Sequence, residues 1–450
     1  MGRARSGTIK TPIGQREYAR RRRELMALME PNSIAILPSA ATAIRSRDTE
    51  FRFRQSSDVL YLSGLTEPES VVVLAPGRRH GEFLVFCRER DPQQELWDGR
   101  RLGPEGVCER LGADDAFPIS DIDDILPGLI EGCERVYYAM GQRPEFDNQI
   151  MRWVNKIRSN AYAGAQPPGE FQDLDHLLHE LRLYKSRTEI GLMREAAEIS
   201  AEAHCRAMRH CRPGLHEYHL EAELLYEFAR RGARDTAYTP IVGAGANACV
   251  MHYIDNQAVL VEGDLVLIDA GCECQGYAAD ITRTFPVSGR FSSPQQAIYE
   301  VVLEAQARAI DAVRPGNLWN DPHDVTVAVI TRGLVDLGLL DGECNELIEL
   351  EAYRPFYMHR AGHWLGLDVH DVGDYRVDGA WRLLEKGMTL TVEPGIYIAP
   401  DNRDVAKKWR GIGVRIEDDV AVTAEGCEVL SAGAPKTVLE IEQLMAEGRG

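Results

Sequence analysis

Residues 264–286, DLVLIDAGCECQGYAADITRTFP, constrain what this chain can fold into more than any other stretch, because they set two acids on what reads as a β-hairpin. Leu265, Leu267 and Asp269 alternate with Val266 and Ile268, so Asp269 ends a buried strand on the same face as the two leucines. A turn near Gln275-Gly276 then reverses the chain. With a short loop centred there, either odd register puts Asp280 on the face of Asp269, and an even register would part them. Two ionised carboxylates facing each other in an apolar sheet repel, and one would protonate unless a cation lay between them. A solvated hairpin end accounts for the same pattern equally well, so the weight rests on what accompanies it.

The 450 residues, 44% of them hydrophobic, suffice for more than one core. Residues 1–175 read as a self-contained α/β domain, with short strands at 33–37, 59–62, 71–75 and 83–87 and a helix over 146–157. It closes in the Pro- and Gly-rich AYAGAQPPGEFQD. Residues 176–450 read as a second domain. Ser186 and Glu189 form a capping box that opens a helix stopped by Pro213-Gly214, and further helices are predicted over 217–231, 295–313 and 324–340. Strands ending in acids and histidines lie between them, which argues α+β with a mostly antiparallel sheet. LVLIDAG at 265–271 is echoed by MTLTVEPG at 388–395, each an apolar strand ending acid, any residue, glycine. Two such halves would bring Asp269 and Glu393 to related places around a pseudo-twofold.

The balance of 51 basic against 70 acidic residues, net −19, sets the protein's own field against a phosphate backbone, so nucleic acid is not an expected partner. Ten cysteines without a framework of spacings fit a reducing compartment, and a cytoplasmic location is expected. The run Arg20–Arg23 is followed by apolar residues cut by Glu30, which reads as a helix over 15–30 and not as an export signal. No apolar stretch is long enough for a membrane span, and no membrane partner is expected.

Residues 359–371, HRAGHWLGLDVHD, hold three of the 12 histidines: His359, His363 and His370. Their spacing invites comparison with the H-E-x-x-H zinc helix, but Arg360 stands where the glutamate should and Gly362 weakens a helix, so a turn leading into a strand is expected. Glu393 precedes Pro394, which cannot continue a ladder and leaves the carboxylate at the rim of a sheet. In GVRIE at 413–417, Val414 and Ile416 face one way and Arg415 with Glu417 the other, from where Arg415 can steady Glu417.

These segments, LIDAG with YAADITRTFPV, HRAGHWLGLDVHDVG, TVEPGIYI and GIGVRIEDD in this order, resemble the pita-bread metallopeptidases, most closely the Xaa-Pro aminopeptidases (aminopeptidase P). RQSSDVLYLSGLTEPES at 54–70 resembles the N-terminal domain of the same group. The resemblance implies five metal ligands: Asp269, Asp280, His363, Glu393 and Glu417, with Asp280 and Glu417 bridging two ions. One imidazole and four carboxylates make a hard, anionic pocket that suits a pair of divalent ions, Mn²⁺ ahead of Zn²⁺ or Co²⁺. Cys272 and Cys274 are not expected to join them. The activity implied is release of the first residue from peptides with proline second, by a metal-activated hydroxide, with Glu393 moving the proton. His252 and His370 would flank the scissile bond, His359 would lie near the proline, and Tyr238 and Arg415 match positions beside the site. Trp97, in ELWDGRRLG, would reach a neighbouring subunit's site, as in a homo-oligomer, dimer or tetramer. The nearest rival is an Xaa-Pro dipeptidase (prolidase) with the same five ligands. Methionine aminopeptidases, metal-free creatinase and metal-free binding relatives of the fold fit less well, since all five ligand positions are kept and a large N-terminal domain is present.

Overall fold

The computed structural model describes residues 13–449, which form two compact units, residues 13–182 and residues from Leu183 onward. The division falls past the Pro-Gly stretch, near the end of the helix Asp175–Leu183, because Arg182 is tied to Asp58 of the first unit at 2.7 Å.

The first unit is built on a six-stranded mixed sheet. From edge to edge it runs Asp115–Pro118, Phe83–Cys87, Val71–Leu74, Ser33–Pro38, Arg135–Tyr137 and Glu170–Gln172. The last strand lies inside the Pro- and Gly-rich segment in which the domain was expected to close, where Phe171 pairs with Val136 and packs on the core. The core joins Ile34, Val73, Leu84 and Phe86 of the sheet to Ile150, Trp153 and Ile157 of the helix Pro144–Ser159. The strand expected at 59–62 is instead the helix Ser57–Ser63. Four apolar residues cannot by themselves distinguish a buried strand from a helical turn. Here the orphan carbonyls at the helix end decide it: Arg21 donates to the Tyr61 carbonyl at 3.0 Å and Arg22 to that of Leu62 at 2.8 Å. The basic run on the helix Gln15–Leu28 is thus partly buried structural cation.

The second unit opens with the helix Arg187–His210, whose capping box forms between Ser186 and Glu189. The helices Glu217–Arg231, Ser293–Ala312 and Asp321–Asp336 follow as expected to within a few residues. Two long antiparallel ladders lie among them. In the first, Leu265 faces Pro286, Asp269 faces Thr282, Glu273 faces Ala278 and Cys274 faces Tyr277, one odd register throughout. Gln275 and Gly276 turn it with φ of 51° and 86°, the two positive angles of a type I′ turn. In the second, Thr389 faces Ala421, Val392 faces Asp418, Gly395 faces Arg415 and Ile398 faces Ile412, again in one register. Both ladders are interrupted where the acids sit. Gly271 faces Asp280 at the first gap, and at the second Glu393 faces Glu417 and Pro394 faces Ile416.

Candidate metal centre

At the first gap the Cys272 N–H donates to the Ser200 hydroxyl at 3.0 Å and not across to Ala279, and Gly271 and Asp280 face each other as a pair whose own N–H groups point away from the ladder. The Asp280 N–H donates instead to the Asp419 carboxylate, at 3.1 and 3.2 Å to its two oxygens. The Gly271 carbonyl accepts from Ala237 at 3.0 Å, next to Tyr238. A side chain at 271 has no room, since its Cβ would lie 1.7 Å from the Ala279 oxygen. The two ladders lie side by side. Glu417 N–H donates to the Thr282 carbonyl at 3.1 Å, and the Thr282 hydroxyl donates back to Glu417 Oε2 at 2.7 Å.

His363 arrives on neither ladder. Residues 361–365 run along the strand Thr389–Val392, with alternating bonds between Leu365 and Thr389, Thr391 and His363, and Glu393 and Ala361. The expected turn into a regular strand is therefore an irregular segment with one bridge residue, Trp364. Trp364 is fully buried against Trp319 and Tyr375 and anchors the segment in the core. The imidazole Nδ1 sits 2.9 Å from the Trp364 carbonyl, which fixes the Nδ1–H tautomer and turns Nε2 toward the acids, 3.4 Å from Asp280 and 3.6 Å from Glu393.

A cleft of about 290 Å³ is lined by Asp269, Asp280, His363, Glu393 and Glu417 together with Met251, His252, His359, Arg360, Gly362, His370 and Arg415. One ligand atom each from Asp280, His363 and Glu417 lies within 4.8 Å of the others. The acids strain against one another. Burial, then the charges of Asp280, Glu393 and Asp269, holds the Glu417 carboxyl well above its usual range. Burial pushes Glu393 up to about 7 and also raises Asp269, against the pull of Arg415. Burial alone would lower His363, but its hydrogen bond to Asp280 and the nearby carboxylates raise it to about 9. Burial likewise opposes ionisation of Asp280, but His363 overrides it and holds that carboxyl low. A donor set of four oxygen acids and one correctly turned imidazole fits divalent cations, which would let every acid ionise at once. Among the described residues, Arg415 is the cation that touches Asp269.

Arg415 differs from its expected role. Its guanidinium donates to Asp269, to the Thr282 hydroxyl at 3.1 Å and to the Tyr397 hydroxyl at 3.0 Å, and reaches Glu417 only through Thr282. Tyr238 donates into the space between Asp269 and Asp280, 2.6 and 2.5 Å away. Tyr397 was not anticipated. Its hydroxyl accepts from Arg415 and donates to His359 Nε2 at 2.9 Å, while His359 Nδ1–H donates to the Arg360 carbonyl at 2.8 Å. That chain requires a neutral His359, and burial with the nearby Arg415 lowers its pKa to about 4. His370 stands edge-on to His363 with ring centroids 4.4 Å apart, and His252 and His370 are exposed on the cleft. Cys272 faces away, toward Ser200 and the Ala196 carbonyl. Trp97 lies in the first unit, on the helix Pro92–Asp98, and is 85% exposed.

Residues 191–424 match the model of metallopeptidase family M24, and residues 18–137 match the aminopeptidase P N-terminal domain. The Xaa-Pro aminopeptidase of Escherichia coli is 46% identical over 97% of this chain and 99% of its own. Human Xaa-Pro aminopeptidase 3 is 34% identical over 98% and 88%. Among solved structures, Pseudomonas aeruginosa aminopeptidase PepP superposes with a TM-score of 0.97 at 65% identity, covering 98% of this chain and 100% of that one. A zinc-substituted E. coli aminopeptidase P with product superposes at 0.95 and 46% identity, covering 98% and 100%. The α+β chain, with its acid-lined cleft for divalent metal, belongs to metallopeptidase family M24 and carries the N-terminal domain of aminopeptidase P.

Proposed function

We propose that this chain is a divalent-metal aminopeptidase that releases the first residue of peptides with proline in the second position. The convergence of Asp269, Asp280, His363, Glu393 and Glu417 on one cleft carries the reading, and the named relatives support the substrate class. Asp280 and Glu417 would be shared by two ions, Asp269 would serve one, and His363 with Glu393 the other. The oxygen-rich set favours Mn²⁺, with Zn²⁺ or Co²⁺ as substitutes. Bound there, such ions supply Lewis acidity that lowers the pKa of water and polarises the scissile carbonyl.

The chain's own groups do the rest. Glu393 takes a proton from the attacking water and passes it to the proline nitrogen, which must be protonated to leave. His252 and His370 line the cleft as donors to the oxygen on which charge develops. Arg415 holds Asp269, and Tyr397 relays its orientation to His359. An Xaa-Pro bond has no N–H and a restricted preceding residue, so a cleft shaped for that constraint reads it where strand-type recognition fails. The exposed Leu96 and Trp97 suit burial against a second copy of the chain, and ten unpaired cysteines suit the cytoplasm.

The test is release of the free first amino acid from an Xaa-Pro-Yaa tripeptide and an Xaa-Pro dipeptide, by metal-stripped and Mn²⁺-restored protein. Only the restored protein should act, and it should cut the tripeptide. Asp280→Asn should lower turnover about a thousandfold with the far-UV circular dichroism unchanged. Cleavage confined to the dipeptide, or equal rates after stripping, would overturn the reading.

A further inference from the structure

Arg360 is the charged group of the cleft that the chain leaves without a counter-ion. Arg415, the other arginine there, is buried and bound to Asp269, and neighbouring Arg354 pairs with Glu351 at 2.9 Å. Arg360 lines the same cleft as the five acid and imidazole donors, is exposed, and among the described residues forms no ion pair with a carboxylate. Neutral groups hold it in place. Its guanidinium lies 4.9 Å from the Trp381 ring centroid and donates to the Asn320 side-chain oxygen. Arg376 lies over the same indole at 4.1 Å, so two guanidiniums share one aromatic platform on the hairpin of residues 376–381.

A planar guanidinium oriented by an indole and an amide keeps its full charge and several N–H donors for an incoming partner. The protein's own field works against a free anion, since four acids line the cleft and the chain carries net −19. A free arginine at this place therefore answers to a carboxylate that the substrate itself brings. On the reading that the amino end of the peptide lies among the acids, the part beyond proline must leave by the rim. The residue after proline presents its terminal carboxylate about 7 Å beyond the scissile bond, in the cleft that Arg360 lines.

Resting on that reading, we propose that Arg360 is a specificity-determining residue that binds a carboxylate on the residue following proline. That carboxylate is either the chain terminus of a tripeptide or an acidic side chain at the third position. Two matched pairs of substrates separate the sources: Xaa-Pro-Leu against its C-terminal amide, and Xaa-Pro-Asp-amide against Xaa-Pro-Asn-amide. Each pair is compared as a ratio of kcat/KM in Mn²⁺-loaded wild type, Arg360→Gln and Arg360→Lys.

In Arg360→Gln at least one ratio should fall about three- to tenfold through KM, with Arg360→Lys between it and wild type, and the wild-type preference should shrink at higher ionic strength. A fall in the acid-to-amide ratio assigns the terminus, and a fall in the Asp-to-Asn ratio assigns the side chain. Loss of fold or metal lowers both members of a pair alike and cannot mimic either result. Unchanged ratios in both pairs would overturn the assignment of Arg360. Failure of wild type to release the first residue from any of the four peptides would instead overturn the activity on which it rests.

Discussion

Glu393 and His363 are pushed toward higher pKa for different reasons, and both shifts oppose cation binding. Burial keeps the Glu393 proton on up to about 7, and the carboxylates around His363 keep its second proton on up to about 9. Each must lose that proton before it can hold a divalent ion, so binding releases protons and tightens as pH rises. The affinity for Mn²⁺ should climb steeply from pH 6 to 7 and continue to climb to pH 9. Calorimetric titration across that range checks it, and an affinity independent of pH would contradict the proton assignments. The acids stood out from residue type and their places on strands, whereas only the family resemblance picked His363 from the three histidines of residues 359–371. Partnership was less legible: Arg415 shares a face with Glu417, yet its guanidinium goes across to Asp269, because parity says which side a group is on and not how far it reaches. Tyr397 was within reach, since it shares the parity of Glu393 and Gly395, but nothing in the sequence tells a hydroxyl that links Arg415 to His359 from an ordinary strand tyrosine.

At the scale of elements, side chains on a strand repeat every two residues, so either odd register of the hairpin places Asp269 and Asp280 on one face. The gap beside Asp280 was hidden, because it depends on Ser200, on a helix 72 positions away, taking the Cys272 N–H. Its trace in the sequence is Gly271. Alanine there would set a methyl group against the Ala279 oxygen, so Gly271→Ala should cost about 3 kcal/mol or more, displace Asp280 and lower metal content. Denaturant unfolding with metal analysis checks this, and a variant with wild-type midpoint and full metal would contradict the close approach. The helix Ser57–Ser63 is hidden from the local sequence for a similar reason. Its conformation is settled by Arg21 and Arg22, about forty positions away, and no local window contains them.

Across the whole molecule, the echo between LVLIDAG and MTLTVEPG became two interrupted ladders, each opening where its acids face the cleft. The helices came through from caps and periodicity, whereas the first unit's sixth strand, Glu170–Gln172, was lost among prolines and glycines because a three-residue edge strand has too little pattern of its own. What no stretch reveals alone is convergence: residues 269 to 417 supply five donors from three separate segments, and only the fold brings them within one cleft. That convergence is the central claim, and anomalous diffraction from crystals soaked in Mn²⁺ tests it most directly. Two manganese peaks should appear among Asp269, Asp280, His363, Glu393 and Glu417, with Asp280 and Glu417 touching both. A cleft without anomalous density at saturating Mn²⁺, or peaks held by other side chains, would contradict it.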